Sequence, residues 1–373
     1  MIESAYTYLA SIALLALILG GMEKFSRHKL FTYLPAVVLI YAFAMLLAQL
    51  GLWEKTEQIA AAYGTVKCYL LPAMLFLMLM RIDLKHFASL GKKLLIAYFS
   101  AVLSIALAFI FVFWLLGFGS NAAGVFGALA GSWTGGTANM LAVASALNVD
   151  EGLMGYALVV DSVDYTLWVM FLLAIVGAAP LFNRWAEAES STASVPHPTT
   201  SFKGQNIPLL LLLAFTASAI SVSLSSKLGG LSSTTWAVLI STLMGLLASR
   251  TKLYDLAGST ALSSAMLYLL VALIGSRASF GGFDAIPIYL LAGVLILLLH
   301  AAAMISVAKI FKLDLFSIGV ASLANIGGVA SAPILAAAYN RSLVGIAVLM
   351  AVMGYLIGTV AGLAIAGVLK WMA

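Results

Sequence analysis

Charged residues are scarce in this sequence of 373 residues, where Asp, Glu, Lys and Arg together make up 9%, against about 25% in soluble globular proteins. Hydrophobic residues account for 63%, against about 45–50% in that class. So little polar surface cannot cover a water-soluble body of this size, and the solvent of the folded chain must therefore be partly lipid. At about 20 apolar residues per crossing, the sequence holds enough for about twelve membrane spans.

Metal-binding and catalytic motifs are lacking as well. The single cysteine, Cys68, excludes an intramolecular disulfide and any metal cluster held by cysteine alone. The four histidines form no pair at helical spacing, so no structural zinc or iron–sulfur site is expected. The sequence has no nucleophile elbow, no zinc-protease motif and no P-loop, and we predict neither an enzyme nor a cofactor other than a coupling ion. Basic residues are not interleaved with aromatics, which argues against a nucleic-acid partner.

Twelve apolar runs, separated by polar or glycine- and proline-containing breaks, are predicted to be helices, because a lone strand in hydrocarbon leaves its backbone polar groups unpaired. In a first half, 1–182, the runs lie near 6–20, 34–50, 64–80, 94–116, 124–148 and 153–179. In a second half, 207–373, they lie near 207–226, 234–249, 256–275, 285–307, 316–338 and 344–369. A polar linker, 183–206, joins the halves. The number of spans between Leu153 and Ser249 is left open.

The first apolar run is expected to be a membrane span rather than a cleavable signal. No basic residue precedes it, and Lys24, Arg27 and Lys29 follow it, which is the reverse of the charge pattern of a signal peptide. Because basic residues are enriched in cytoplasmic loops, these cations predict an N-terminus outside the cell. We therefore expect a multi-pass protein of the cytoplasmic (inner) membrane, in contact with membrane lipid.

The two halves contain similar segments, which predicts an internal duplication. The segment 131–139, Gly-Ser-Trp-Thr-Gly-Gly-Thr-Ala-Asn, aligns with 323–331, Leu-Ala-Asn-Ile-Gly-Gly-Val-Ala-Ser. After a slip of two residues, Tyr165 aligns with Tyr355. Lysines and arginines lie mainly on one nominal side of the membrane in the first half and on the opposite side in the second. This reversal predicts that the second repeat is inverted with respect to the first.

The two glycine doublets lie in the middle of apolar runs, where each glycine weakens a helix by about 1 kcal/mol relative to alanine. A broken helix in lipid exposes backbone groups that need partners, and two breaks at matching positions are typical of the midplane binding site of a transporter. The predicted substrate-binding residues around the breaks are Ser132, Thr134, Gly135, Gly136, Thr137, Asn139, Asn325, Gly327, Gly328, Ser331 and Pro333. The alternative interpretation is close helix–helix packing through small residues.

Two acids, Asp161 and Asp164, lie in an apolar stretch directly after the first doublet. A charge near the bilayer centre costs at least about 2.5–3.5 kcal/mol, so two of them on one helix face need a reason. In the predicted duplication they align with Ala351 and Gly354, and helix packing alone therefore does not require acids here. We predict that the pair is the ion-coupling site, with a possible Na⁺ bound by Thr137, Asn139, Asp161 and Asn325. The alternatives are a position near the membrane edge or an ion pair.

The segments Gly-Ser-Trp-Thr-Gly-Gly-Thr-Ala-Asn-Met, Val-Asp-Ser-Val-Asp and Ala-Asn-Ile-Gly-Gly-Val-Ala-Ser-Ala-Pro resemble those of the YjcL-like family of uncharacterised prokaryotic membrane proteins. That family is grouped with the bile acid symporters, glutamate symporters and cation–proton antiporters. The resemblance implies inverted repeats with crossing discontinuous helices, a core (transport) domain that moves elevator-style against a panel or scaffold domain, and a homodimer. Antiporters usually carry adjacent acids beside the crossing point, whereas the two acids here lie three residues apart, which leaves the coupling ion open.

The sequence therefore predicts an all-α polytopic membrane protein that transports a small polar or anionic solute by secondary active symport with Na⁺ or H⁺. A cation–proton antiporter is the first alternative, because the acid pair could exchange H⁺ for Na⁺ without an organic substrate. A passive channel is the second. Organic acids, amino acids and short peptides all remain open as substrates.

Overall fold

The computed structural model describes residues 2–25, 36–81, 90–188, 206–229, 232–277, 285–340 and 343–373. Arg27, Lys29 and most of the predicted linker lie outside these ranges. Within them the chain is α-helical and contains no β-strand, apart from an isolated bridge between Ile2 and Trp53. The prediction of an all-α chain is confirmed for this part of the sequence.

The helices follow the apolar runs. In the first half they are α1 (Ala5–Phe25), α2 (Ala36–Gln49), α3 (Glu57–Met80), α4 (Gly91–Leu115), α5 (Ser120–Gly135), α6 (Thr137–Ala146), α7 (Met154–Ala174) and α8 (Ala179–Ala186). In the second half they are α9 (Ile207–Ser225), α10 (Ser233–Ala248), α11 (Ser259–Gly275), α12 (Ile286–Phe311), α13 (Leu315–Ile326), α14 (Gly328–Tyr339) and α15 (Val344–Met372). Short 3₁₀ turns lie at Ile175–Ala178 and Lys252–Asp255.

Seven of the described helical segments are long and apolar enough to cross a bilayer. They are Ala5–Glu23, Glu57–Met80, Gly91–Leu115, Met154–Ala186, Ile207–Ser225, Ile286–Phe311 and Val344–Met372. On α4, Phe99, Leu103 and Leu107 are each more than half exposed, and their spacing of four residues places them on one helix face. Such a stripe of exposed apolar side chains is stable against lipid and unfavourable against water. The chain is therefore an integral, polytopic membrane protein.

The chain packs as two compact units, and each of them draws on both halves of the sequence. Unit A comprises Met1–Ile82, Ser145–Ser162 and Ser201–Ile286. Unit B comprises Asp83–Ala144, Val163–Thr200 and Pro287–Ala373. Unit B contains both glycine doublets.

In unit A, helix α3 is central and packs against α1, α9, α10 and α11. Hydroxyl groups of the surrounding helices bond to its backbone: Ser218 Oγ donates to the Tyr69 carbonyl at 2.6 Å, and Ser241 Oγ donates to the Pro72 carbonyl at 2.5 Å. Pro72 lies inside α3 and removes one intrahelical donor there. These two hydroxyls thus link the backbone of α3 near its proline to the neighbouring helices α9 and α10.

A partly buried ion pair joins α3 to the loop that precedes α7, within unit A. Glu151 Oε1 accepts from Tyr63 Oη at 2.6 Å and from Lys67 Nζ at 3.1 Å. Burial by itself raises the pKa of Glu151, but the Tyr63 hydrogen bond and the Lys67 cation outweigh it and hold this pKa below its ordinary value. The neighbouring Asp150 stabilises the loop itself, because its Oδ1 accepts from the amides of Gly152 and Leu153.

Replacing Glu151 with glutamine is expected to remove a pH-dependent part of the stability. A depressed folded-state pKa means that the stabilisation is present above the unfolded-state pKa of about 4.3 and is lost as the pH falls through the folded-state value. We expect Glu151→Gln to be about 1 kcal/mol less stable than the wild type at pH 7 and the two proteins to converge near pH 3. The midpoint of thermal unfolding in detergent, measured from pH 7 to pH 3, tests this.

The matched control for that experiment is Glu187→Gln. Glu187 also pairs with lysines, Lys309 at 3.0 Å and Lys312 at 3.4 Å, but its side chain is 62% exposed, and exposed pairs contribute little. Parallel pH curves for Glu151→Gln and the wild type would show that this ion pair does not stabilise unit A.

Candidate functional site in unit B

The first glycine doublet breaks a helix, as predicted. Helix α5 ends at Gly135, and Gly136 has φ +85° and ψ 172°, a backbone region that is essentially restricted to glycine. The Gly136 amide still donates to the Ser132 carbonyl at 2.6 Å, and the Gly136 carbonyl accepts from the Asn139 amide at 2.9 Å. Helix α6 therefore starts afresh at Thr137, and its first amides have no intrahelical partner.

The second doublet also interrupts a helix. Helix α13 ends at Ile326, and the Gly327 amide closes its last turn by donating to the Leu323 carbonyl at 2.8 Å. Gly328 has φ +60° and begins helix α14. At both breaks, the second glycine of the doublet is thus the one with positive φ.

The two breaks also share their immediate surroundings. A Cβ atom on Gly135 would collide with the Asn139 amide, and a Cβ atom on Gly327 would collide with Ser331 Oγ. The first glycine of each doublet therefore leaves room for the polar side chain four residues further on.

Each break also faces a tyrosine from the helix that follows the other break, because Tyr355 lies on α15 and Tyr165 on α7. A Cβ atom on Gly136 would lie 3.8 Å from the Tyr355 ring, and one on Gly327 would lie 2.6 Å from the Tyr165 ring. The two tyrosines that align in the sequence thus occupy comparable places in unit B.

Small-residue packing accounts for part of the glycine pattern at the first break. Helices α5 and α15 are in contact along two glycine stripes at spacing four, which consist of Gly127, Gly131, Gly135, Gly354, Gly358 and Gly362. A Cβ on Gly358 would lie 2.7 Å from Gly135 Cα, and one on Gly362 would lie 2.9 Å from Gly131 Cα. Gly135 thus serves helix packing, as the alternative interpretation predicted, while the positive φ of Gly136 belongs to the break itself.

Polar side chains at the first break are hydrogen-bonded within unit B. Asn139 Nδ2 donates to the Gly135 carbonyl at 2.6 Å, and Asn139 Oδ1 accepts from Thr359 Oγ1 at 2.6 Å. Thr134 Oγ1 donates to the Ala130 carbonyl at 2.7 Å, and Ser132 is buried. No sequence pattern singled out Thr359, although its place directly after a glycine of the α15 stripe was a usable signal.

At the second break, two oxygens are buried and form no hydrogen bond within the described part of the chain: Asn325 Oδ1 and Ser331 Oγ. The exposed fraction is 0% for Asn325 and 2% for Ser331. Asn325 Nδ2 donates to the Ala321 carbonyl at 2.8 Å, so its carbonyl oxygen is the group left over. Pro333 lies inside α14 and cannot donate to the carbonyl four residues earlier, that of Val329.

The two predicted coupling acids differ in their environment. Asp164 is buried, with 1% exposure, whereas Asp161 is partly exposed. By packing, Asp164 belongs to unit B and Asp161 to unit A. Asp164 directly precedes Tyr165, whose ring contacts the second break. Unit B thus contains the second break together with one buried acid.

His300 forms a separate buried cluster in unit B. Ser104 Oγ donates to the Ala101 carbonyl at 2.9 Å and lies 2.7 Å from His300 Nδ1. Since a hydroxyl carries one hydrogen, Nδ1 must be the donor to Ser104. His300 Nε2 then accepts from Ser322 Oγ at 2.8 Å, and Ser322 accepts from Trp168 Nε1 at 2.9 Å. All of these groups are satisfied by a neutral histidine.

The cavity beside this cluster has a volume of about 260 Å³ and an almost entirely apolar lining, which includes Phe171, Met304 and Ile318. Such a lining offers few partners to a polar solute. The two helix breaks are therefore the better candidates for the functional site.

The helices and the site together define an integral membrane protein with two discontinuous helices in one compact unit. A family model described as a protein of unknown function (DUF819) matches residues 9–372, nearly the whole chain, and the chain therefore belongs to that family. No protein with a curated description matches the chain. The expected membership in a family of uncharacterised membrane proteins is confirmed, while the wider grouping with symporters and antiporters stays a prediction.

Proposed function

We propose that this protein is a secondary active transporter that couples the movement of a small polar or anionic solute to Na⁺ or H⁺. The observation that carries the proposal is the pair of helix breaks in unit B, each with a glycine at positive φ and each flanked by buried amide or hydroxyl side chains. Interrupted helices within a membrane are tolerated where the freed backbone groups bind something.

The helix N-termini at the breaks favour a polar or anionic solute, since no basic side chain in these segments could bind one. The segments 120–148 and 315–340 contain no lysine or arginine, so an anionic group would be bound by helix N-termini. Helices α6 and α14 both start at a break, and the first amides of a helix together with its dipole attract negative charge.

The wider architecture is part of the same proposal. Unit B would be the core that carries the solute and unit A the scaffold, as in elevator transporters built from inverted repeats. Tyr165 and Tyr355 align in the sequence, and each lies beside the break of the other half, which supports the duplication. Dimerisation through the scaffold and a place in the cytoplasmic membrane are the matching expectations.

A cation–proton antiporter is the second candidate. The buried Asp164 favours it, because ionisable residues within membrane spans commonly mark ion pathways and proton relays. In that case the two breaks would serve ion binding only, with no organic substrate.

Counterflow in proteoliposomes tests the proposal. Vesicles containing the purified protein are given a mixture of organic acids, amino acids and short peptides, with and without a Na⁺ or H⁺ gradient. We expect gradient-driven accumulation of one solute class, and a loss of at least about tenfold in Asp164→Asn if that acid couples the ion. Uptake that ignores both gradients would point to a channel, and a pH-dependent Na⁺ flux without solute would establish the antiporter.

A further inference from the structure

The apolar cavity beside His300 has no role in the proposed function, and its lining indicates what it can hold. The lining residues include Trp168 on α7, Phe182 on α8, Met304 on α12 and Ile318 on α13. Because this lining offers almost no polar partner, a polar group buried there would be costly. The volume of about 260 Å³ lies below the range of about 300–1,000 Å³ for pockets that hold drug-sized ligands. The cavity therefore suits a segment of one hydrocarbon chain.

The cavity opens toward lipid rather than toward water. Phe171 on α7 and Ile305 on α12 belong to its lining and are both exposed. Both helices belong to segments that are long and apolar enough to cross a bilayer. Large apolar side chains that stay exposed on such segments are stable against lipid. A molecule that fills the cavity would therefore enter it sideways from the bilayer.

The position of the cavity along α12 matches the depth of one lipid leaflet. Its lining runs from His300, near the middle of α12, through Ile305 to Leu315, the first residue of α13. At a rise of 1.5 Å per residue, His300 lies about 16 Å from the end of α12 at Phe311. Half of a hydrocarbon core about 30 Å thick is nearly the same length. The cavity thus has the reach of one acyl chain between the middle of the bilayer and its surface.

Two lysines lie where the cavity reaches the end of α12. Lys309 follows Ile305 by four residues, which places both side chains on one helix face, and Lys312 comes directly after the helix. Both lysines pair with Glu187, at 3.0 Å and 3.4 Å, and the side chains of both remain about half exposed. One carboxylate between two ammonium groups leaves an excess of positive charge at this end of the cavity.

Helix α8 closes the same end and has the features of a helix in the membrane interface. Asn183 Oδ1 accepts from the Leu315 amide at 2.8 Å, and the Trp185 carbonyl accepts from Lys309 Nζ at 2.8 Å. These two bonds hold α8 against α13 and α12. Leu181 and Trp185 are exposed, and their spacing of four residues places them on one face. An exposed tryptophan is typical of the headgroup level of a membrane.

We propose that unit B binds an anionic phospholipid at this place, with one acyl chain in the cavity and the phosphate beside Lys309 and Lys312. Basic sites between membrane helices bind anionic lipid headgroups, and an apolar chain meets no competition from water in a cavity without polar partners. The phosphate competes with Glu187 for the two lysines. This site does not depend on the proposed transport, because it uses neither helix break.

Native mass spectrometry of the full chain in detergent tests the proposal, because it separates the lipid-bound protein from the lipid-free protein. The protein is titrated with dioleoyl phosphatidylglycerol and, in parallel, with dioleoyl phosphatidylcholine. The two lipids have the same acyl chains and differ in the net charge of the headgroup. We expect phosphatidylglycerol to bind at least about fivefold more tightly, because a lysine near an anionic headgroup contributes about that factor.

Matched variants test the two ends of the site separately. Lys312→Gln should weaken the binding of phosphatidylglycerol about fivefold, whereas Lys370→Gln, which changes an exposed lysine in the last turn of α15, should not alter it. Ala301→Leu narrows the cavity and should weaken the binding of both lipids about tenfold. Its control is Ala302→Leu, at an exposed position that does not belong to the cavity lining.

Glu187→Gln provides a test in the opposite direction, because it removes the carboxylate that competes with the phosphate. This variant should bind phosphatidylglycerol more tightly than the wild type. Equal affinities of the wild type for the two lipids, or an unchanged affinity in Lys312→Gln, would overturn the headgroup site. Equal binding by Ala301→Leu and Ala302→Leu would overturn the place of the acyl chain. Lys312 lies at the surface, so its variant decides the outcome if Ala301→Leu does not fold.

Discussion

Replacing Gly358 with alanine is expected to push helices α5 and α15 apart and to destabilise the protein by about 1–3 kcal/mol. The added Cβ atom would lie 2.7 Å from Gly135 Cα and 2.9 Å from the Asn139 side chain. Neither neighbour can yield easily, because one is backbone and the other is held by two hydrogen bonds. We also expect solute uptake to fall at least about tenfold, since the displaced atoms form the first break.

The matched control is Gly367→Ala, nine residues further along the same helix, where an added Cβ meets no atom within 4 Å. This substitution should stabilise the protein by up to about 1 kcal/mol through helix propensity and leave uptake unchanged. Unfolding midpoints in detergent and uptake rates in vesicles measure both effects. Equal midpoints for the two variants would mean that the glycine stripes do not pack as described.

Replacing Gly136 with alanine is expected to abolish transport at a moderate cost in stability. Space is available there, because the nearest atom to an added Cβ is 3.8 Å away. The backbone, however, has φ +85° and ψ 172°, which costs a residue with a Cβ about 1–3 kcal/mol. The variant can relieve this strain by closing the break toward a continuous helix. The first amides of α6 would then have intrahelical partners and could no longer bind a solute.

Gly51→Ala is the control that distinguishes the cost of backbone strain from the loss of the first break. Gly51 also has positive φ, +74°, with no atom near an added Cβ, and it lies in the loop after α2. We expect a similar loss of stability in the two variants, measured as the unfolding midpoint, but a loss of uptake in Gly136→Ala alone. Normal uptake by Gly136→Ala would show that the first break is not part of the transport site.

The positions of the helices could be predicted from the sequence because in lipid every long apolar run has to pair its own backbone groups. The breaks could be predicted because adjacent glycines inside such a run are costly for a helix. The strain falls on Gly136 and Gly328 rather than on their preceding neighbours, and no periodicity distinguishes the members of a doublet.

The hydrogen-bonding state of the site could not be predicted, because it depends on partners that are distant in sequence. Asn139 and Asn325 both suggest a ligand site, yet Thr359, 220 residues away, occupies the oxygen of Asn139. The division into units is also hidden in the sequence, since it separates Asp161 from Asp164. The ion pair of Glu151 with Lys67, 84 residues away, is hidden for the same reason.

The glycine stripes between α5 and α15 have a consequence for how the first break can respond to its cargo. Backbones that touch without side chains between them have no rotamers to readjust, so the pair can be displaced only as one rigid piece. We therefore expect the first break to keep its shape whether it is loaded or empty. Any induced fit would then fall to the second break, where the Ser331 hydroxyl can still rotate about its own bond.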